Sequence, residues 1–257
     1  MKIITCIKVV PEEQDIVIKA DGELSFDRAK PTISAYDLNA VEAGAQLLEE
    51  CGGDFIALSV GSGGIDNPKL KKNILSRGPE SLVMVADDRL KDLDTHQTAK
   101  VLKAAIEKVG EYDLILCGEG SSDLYAQQVG PQLGQLLNVP TINSVSKITQ
   151  SDGKIVVQRT LENEVETLES VLPALVIVTS DINLPRIATM SHVLAAGKKP
   201  TTTWTLGDIG VAELANTIEI IDTRAPQQVE RKQDIVEGDT DEAIQEFITK
   251  LSTVLAK

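Results

Sequence analysis

Asp113-Leu-Ile-Leu-Cys-Gly118-Glu-Gly-Ser-Ser-Asp123-Leu-Tyr-Ala-Gln-Gln128-Val-Gly130 runs from an apolar stretch through a small polar loop into a helical pattern. Leu114 to Cys117 reads as a buried parallel strand. Gly118 to Ser122, small apart from Glu119, let a ligand approach the backbone. Tyr125, Val129, Leu133 and Leu136 recur at helical spacing, which predicts a helix opening between Asp123 and Ala126. A helix N-terminus carries unpaired N–H groups and partial positive charge, and so suits a phosphate. Open α/β sheets take nucleotides at such a place, beyond the carboxyl end of a strand.

The same alternation extends toward the N-terminus. Lys2–Val10, Asp54–Val60 and Ser81–Ala86 read as strands, each followed by a helical pattern. Ser34 and Asp37 are spaced to cap the first helix, in which Leu38, Val41, Ala45 and Leu48 share a face. Residues 67 to 77 form a short basic helix, and Thr95–Val109 a longer one. The series β-α-β-α-β-α-β-α implies a Rossmann-like α/β fold: a parallel sheet with flanking helices and right-handed crossovers.

After Leu137 the pattern changes. Short β-type segments around Asp152-Gly153 and Glu162-Asn163 predict an antiparallel hairpin excursion. Leu175–Thr179 returns to a buried strand. From Pro200 onward the periodicity fades until Asp239 and Glu242, which are placed to cap a last helix striped by Ile244, Phe247, Ile248, Leu251 and Leu255. A loop of that length inside a compact domain is unusual. The division expected is a nucleotide-binding α/β domain over 1–200 and a C-terminal arm over 201–257. The arm packs on another chain or folds back on its own.

Composition excludes several classes. The net charge of -14 argues against nucleic acid or anionic lipid, which need clustered Lys/Arg, and aromatics at 3% argue against stacking platforms. Cys6, Cys51 and Cys117 are odd in number and widely spaced, and His96 and His192 lack metal-ligand spacing, so no metal site is expected. No apolar run reaches membrane-spanning length, and the N-terminus enters a strand at once, so a cytoplasmic protein without membrane insertion is expected.

No catalytic set emerges either. Ser121 and Ser122 have no His at a nucleophile elbow, and the paired carboxylates read as solvated turns. On spacing alone, the Gly118 loop serves a phosphate and a plain βα connection equally well. It has no Walker lysine, which argues against tight triphosphate binding. A second Gly-rich turn, Val60-Gly61-Ser62-Gly63-Gly64, is a weak dinucleotide signal. Tyr36 is a core residue or a ring to lie against a flat cofactor. Asp181 to Met190 places apolar residues in a Pro-punctuated loop; its chemistry favours side chains tucked inward over an exposed anchor.

Taken together, these segments resemble the β subunit of electron-transfer flavoproteins across nearly the whole chain. The resemblance rests on Cys6-Ile-Lys8-Val, Tyr36-Asp37-Leu-Asn-Ala40-Val-Glu42-Ala, Leu75-Ser-Arg77-Gly78-Pro, Gly118 to Gly130, Arg159-Thr-Leu-Glu162 with Glu166-Thr, Leu172-Pro173-Ala, and Asp181 to Met190 with Gly197-Lys198-Lys199-Pro200. Ile3-Ile-Thr-Cys6 and Gly120-Ser-Ser-Asp-Leu-Tyr-Ala-Gln-Gln128 resemble the Fix-type subgroup associated with carnitine metabolism.

The resemblance implies an electron-carrier subunit, not an enzyme in its own right. Such a subunit pairs with an α subunit, shares FAD with it, and exchanges electrons with an acyl-CoA-dehydrogenase-type flavoenzyme of fatty acid oxidation. AMP or a second FAD would occupy the β-subunit site. By position, Cys6, Ser34, Ala35, Tyr36, Asp37 and Val60 would line the adenosine. Gly118, Gly120, Ser121, Asp123, Gln127, Gln128 and Val129 would take the phosphates. Ile182, with Asn183, Leu184, Pro185 and Arg186, would fall at the partner-recognition anchor, which reverses the inward reading of that loop. The arm would wrap the α subunit. Two alternatives remain: a bifurcating subunit oxidising NADH on its own FAD, and a stand-alone adenine-nucleotide-binding regulatory or hydrolase-like domain.

Overall fold

A computed structural model of the chain describes residues 1–226 and 233–256. The chain opens with β1 (Lys2–Ile7), then β2 (Val9–Pro11), β3 (Val17–Ile18), β4 (Leu24–Ser25) and β5 (Pro31–Ile33). The alternating part follows: α1 (Ala35–Cys51), β6 (Asp54–Gly61), α2 (Pro68–Leu75), β7 (Ser81–Ala86), α3 (Thr95–Val109), β8 (Leu114–Gly118) and α4 (Val129–Leu137). Next come β9 (Thr141–Ser151), β10 (Lys154–Thr160), β11 (Val165–Ser170) and β12 (Ala174–Val178), then α5 (Met190–Ala196), β13 (Thr201–Trp204) and α6 (Asp241–Leu255).

A nine-stranded sheet runs in the order β11-β10-β9-β12-β8-β1-β6-β7-β13. Every neighbouring pair from β9 through to β13 is parallel, and β10 and β11 extend the β9 side antiparallel. The fold is the mixed α/β architecture expected, with one refinement. The hairpins are not a separate excursion, because β9 continues the parallel sheet before turning into them.

The strands are apolar at successive positions because both faces are covered. Ile3, Ile7, Phe55, Ala57, Leu114 and Leu116 pack on the side of α1 and α2. Their neighbours Ile4, Cys6, Leu58, Ile115 and Cys117 pack on the side of α3 and α4. Period-2 side-chain alternation through a doubly covered sheet produces such unbroken runs.

Three sequence expectations need correction. The first strand was read to Val10, but it ends at Ile7, because the Lys8 N–H donates to the Asp37 carboxylate at 2.7 Å instead of to a neighbouring strand. The helix expected to open at Asp123 to Ala126 begins at Val129, with Gln128 as its N-cap. Tyr125 (φ 46) and Gln127 (φ 57) are left-handed, a conformation that a right-handed helix does not admit. The last helix is capped by Thr240, whose hydroxyl accepts from the Ala243 N–H, and not by Asp239 and Glu242.

The expected division at residue 200 falls one residue ahead of β13, which pairs with β7 and carries the sheet past it. Leu206 is buried, and Ile209, Val211 and Leu214 pack against the α3 side of the core. Further on, the Thr217 N–H and hydroxyl donate to Asp94, the N-cap of α3, and the Ala225 N–H donates to Gly22 O in the β3–β4 turn. The apolar stripe of α6 lies largely uncovered.

Candidate functional site

The chain runs from β1 outward through β6 and β7, then returns to place β8 on the other side of β1. The direction of winding reverses between β1 and β8, and open α/β sheets bind ligands in the crevice beyond the strand ends at such a reversal. Lys8 leaves β1 here, and Gly118 ends β8. The first turn of α1 lies directly over Gly118. A Cβ on that glycine would stand 2.7 Å from Asp37 Oδ1 and 2.8 Å from Tyr36 O, so only glycine permits the approach.

The loop after β8 is docked on the start of α1. Ser122 Oγ accepts from the Ala35 N–H at 2.9 Å, and the Ser122 N–H donates to Ser34 Oγ at 3.3 Å. Ser34 is the N-cap of α1 but makes no side-chain cap within its own helix, so Ser122 supplies the cap from across the crevice. The Tyr125 ring stacks obliquely on Tyr36, with centroids 5.0 Å apart and planes at 40°. It also lies over Gly120, where a Cβ would meet the ring at 2.4 Å.

Charge is concentrated between the two walls. Lys8 Nζ donates to both carboxylate oxygens of Asp123, at 2.7 and 2.9 Å, and approaches Ser121 Oγ at 3.5 Å. Burial pushes the Asp37 carboxyl up to about 7, against the opposing pull of the Lys8 and Gly118 N–H groups and the Lys8 ammonium. Burial also acts upward on Asp123, but the hydrogen bonds from Lys8 and Ser121 outweigh it and hold that carboxyl below its ordinary value. Beneath them the Cys117 thiol is pushed up by its hydrogen bond to Cys6 and by burial.

Most of the residues expected at the site converge on this edge. Cys6 is buried next to the end of β1, and Val60 lies next to the end of β6. Ser34, Ala35, Tyr36 and Asp37 open α1. Gly118, Gly120, Ser121 and Asp123 form the loop, and Gln127, Gln128 and Val129 lead into α4. The Gln128 side chain is engaged laterally, its Oε1 accepting from Thr95 Oγ1 at 2.9 Å and from Gln132 Nε2 at 3.3 Å.

Sequence reading missed Lys8, Ser122 and Tyr125 as members of the site. Lys8 has a visible signal, a lysine that interrupts an apolar run. Ser122 and Tyr125 have none, because their partners lie far away in sequence.

The loop from Asp181 to Arg186 lies apart from this crevice but hangs from β12, the neighbour of β8. Its named residues divide into two groups. Asn183 and Asn39 exchange hydrogen bonds, Asn39 Nδ2 to Asn183 O at 2.9 Å and Asn183 Nδ2 to Asn39 O at 3.0 Å. Arg186 is paired with Glu42 and Glu49, while Ile182 packs against the core. Leu184, at 90% exposure, and the following Ile187, at 89%, point to solvent, with Met190 and Leu194 of α5 exposed after them.

Among the described residues, no cluster of His, Cys, Asp or Glu could hold a metal ion. No helix among them is long and apolar enough to cross a membrane. His96 Nδ1 lies 3.2 Å from Gln132 Oε1, so His96 is engaged with α4.

The chain is therefore an α/β protein with a crevice at the reversal of its sheet, walled by the Gly118 loop and the first turn of α1. The family model of the electron transfer flavoprotein domain matches residues 23–209, and the chain belongs to this family. Proteins of the family are electron carriers, not enzymes in the usual sense, and they generally bind FAD.

Proposed function

We propose that the chain is a β subunit of an electron-transfer flavoprotein, of the Fix-type, carnitine-associated kind. In this reading it pairs with an α subunit in the cytoplasm and exchanges electrons with an acyl-CoA-dehydrogenase-type flavoenzyme. The observation that carries the reading is the crevice between β1 and β8, walled by the Gly118 loop and the start of α1.

The residues present fit the adenosine and phosphate portion of a nucleotide. Tyr36 and Tyr125 offer ring faces, Lys8 offers a cation, and the N-terminus of α4 offers N–H groups. AMP and the corresponding part of a second FAD both meet this description. When bound, a flavin supplies the redox chemistry; the polypeptide binds it, orients it and excludes water. Ser122 and Asp37 hold the loop against α1, and Leu184 and Ile187 present an apolar anchor to the dehydrogenase. The uncovered stripe of α6 is the surface for the α subunit.

The decisive experiment co-expresses the chain with its α subunit, counts flavins per pair and identifies released nucleotides by chromatography. One FAD and one AMP per pair support the simple carrier. Two FAD, with reduction by NADH, mark a bifurcating subunit. A stable monomer without flavin that binds or hydrolyses ATP removes the electron-carrier reading in favour of a regulatory or hydrolase-like domain.

A further inference from the structure

The Lys8–Asp123 pair spans the crevice, joining the end of β1 to the loop after β8. Among the described residues that meet there, Asp37, Glu119 and Asp123 are acidic, and Lys8 is the single cation. The chain as a whole carries -14, so its net charge does not favour an approaching phosphate, and Lys8 is the local charge of opposite sign in the crevice.

Lys8 is well placed for exchange. Its side chain is 43% exposed and that of Asp123 25%, so the pair is open to a ligand and weakly held compared with a buried one. Its backbone is fixed independently, since the Lys8 N–H is bonded to Asp37 and Lys8 O accepts from the Ser34 N–H at 3.0 Å. The ammonium can therefore swing without disturbing the strand end that carries it. Ser121 Oγ, 3.5 Å from Nζ, marks a second direction in which it finds a partner.

Resting on the nucleotide reading of the crevice, we propose that Lys8 is a phosphate-binding residue, whose ammonium passes from Asp123 to the phosphate of an adenine nucleotide. Asp123 is then a competitor that holds the cation in place while no phosphate is bound. A lysine serving only to tether the loop would need Asp123 as much as itself, and the two roles predict opposite effects for Asp123.

The test measures AMP and adenosine affinities by calorimetry on nucleotide-stripped full-length protein held in complex with its α subunit. Lys8→Met is expected to weaken AMP by about 10- to 100-fold, the scale of one charge-assisted hydrogen bond, with adenosine affinity unchanged. Lys8→Arg is expected to recover most of the loss. Asp123→Asn is expected to tighten AMP several-fold, because the competitor's charge is gone. The inference is overturned if Asp123→Asn weakens AMP and adenosine together, as loss of a tether would, or if Lys8→Met binds AMP like the wild type. A wild-type complex that binds neither compound removes the nucleotide reading and this inference with it. Wild-type AMP binding with an unaffected Lys8 variant removes the inference alone.

Discussion

The Arg186 guanidinium grips the Glu42 carboxylate with two parallel hydrogen bonds, Nε to Oε2 at 2.7 Å and Nη2 to Oε1 at 3.0 Å. The Arg186 N–H adds a third at 3.1 Å, Glu49 takes Nη1 at 2.6 Å, and Arg77 closes the far side on Arg186 O at 2.8 Å. The Glu42 side chain is only 6% exposed. Arg186 thus clasps the loop after β12 to the middle of α1, the helix whose first turn walls the crevice.

Removing Arg186 leaves a buried carboxylate without its partner. Arg186→Ala is expected to destabilise the protein by about 3 kcal/mol, and Arg186→Lys by less, since lysine replaces the charge but not the fork. Urea midpoints of the two variants and of Glu42→Gln check this. Equal stability of all three with the wild type would mean that the clasp holds nothing.

Ile182 and Leu184 stand two residues apart and have different tasks. Ile182 packs against the core, so Ile182→Ala is expected to cost about 1–2 kcal/mol of stability. On the proposed function, Leu184→Ala and Ile187→Ala are expected to leave the melting temperature and nucleotide content unchanged while slowing electron exchange with a dehydrogenase. Steady-state electron-transfer rates equal to wild type in both exposed-site variants would remove them as the anchor.

The docking of the Gly118 loop on α1 is testable at its two closest points. Ser122→Ala deletes the acceptor of the Ala35 N–H and is expected to cost about 1 kcal/mol, with faster hydrogen exchange in the first turn of α1. Gly118→Ala forces a methyl group against the Tyr36 carbonyl and is expected to cost about 1–3 kcal/mol and to weaken nucleotide binding. Unchanged exchange at Ala35 in the serine variant would show that the cap is not formed in solution.

Asp37 should impose a pH dependence on stability. In the folded protein its carboxyl titrates near 7, against 3.8 for an ordinary aspartate, so between those values the folded state keeps a proton that the unfolded chain has lost. The contribution is complete below 3.8 and is lost as pH rises toward 7. Asp37→Asn keeps an oxygen for the Lys8 N–H without a charge. The wild-type stability minus that of the variant is therefore expected to fall across this window, and a flat difference in chemical denaturation would contradict the assignment.

The alternation of strands and helices, the mostly parallel sheet and the loop that ends β8 were legible in the residues themselves. Doubly buried strands write continuous apolar runs, amphipathic helices repeat at 3.6, and glycines mark where the chain must turn. Ser81–Ala86 and Thr95–Val109 matched their expected limits for that reason. What failed were the places where a distant partner overrides local pattern. Tyr125 had the spacing of a helical residue, yet it rests on Tyr36 and Gly120 in a left-handed turn. β13, a run of threonines with no apolar pattern, is a strand because β7 offers it an open edge.

By itself, then, the sequence determined the class of fold and the loop that ends at the sheet's reversal, because both follow from interactions between residues close along the chain. Only the tertiary structure decided that Lys8 meets Asp123, that Ser122 caps α1, that Arg186 is a clasp, and that Ile182 packs partly on the core while Leu184 is exposed. Those contacts join residues tens to over a hundred positions apart, and their energies depend on burial and geometry, which exist only once the sheet has formed.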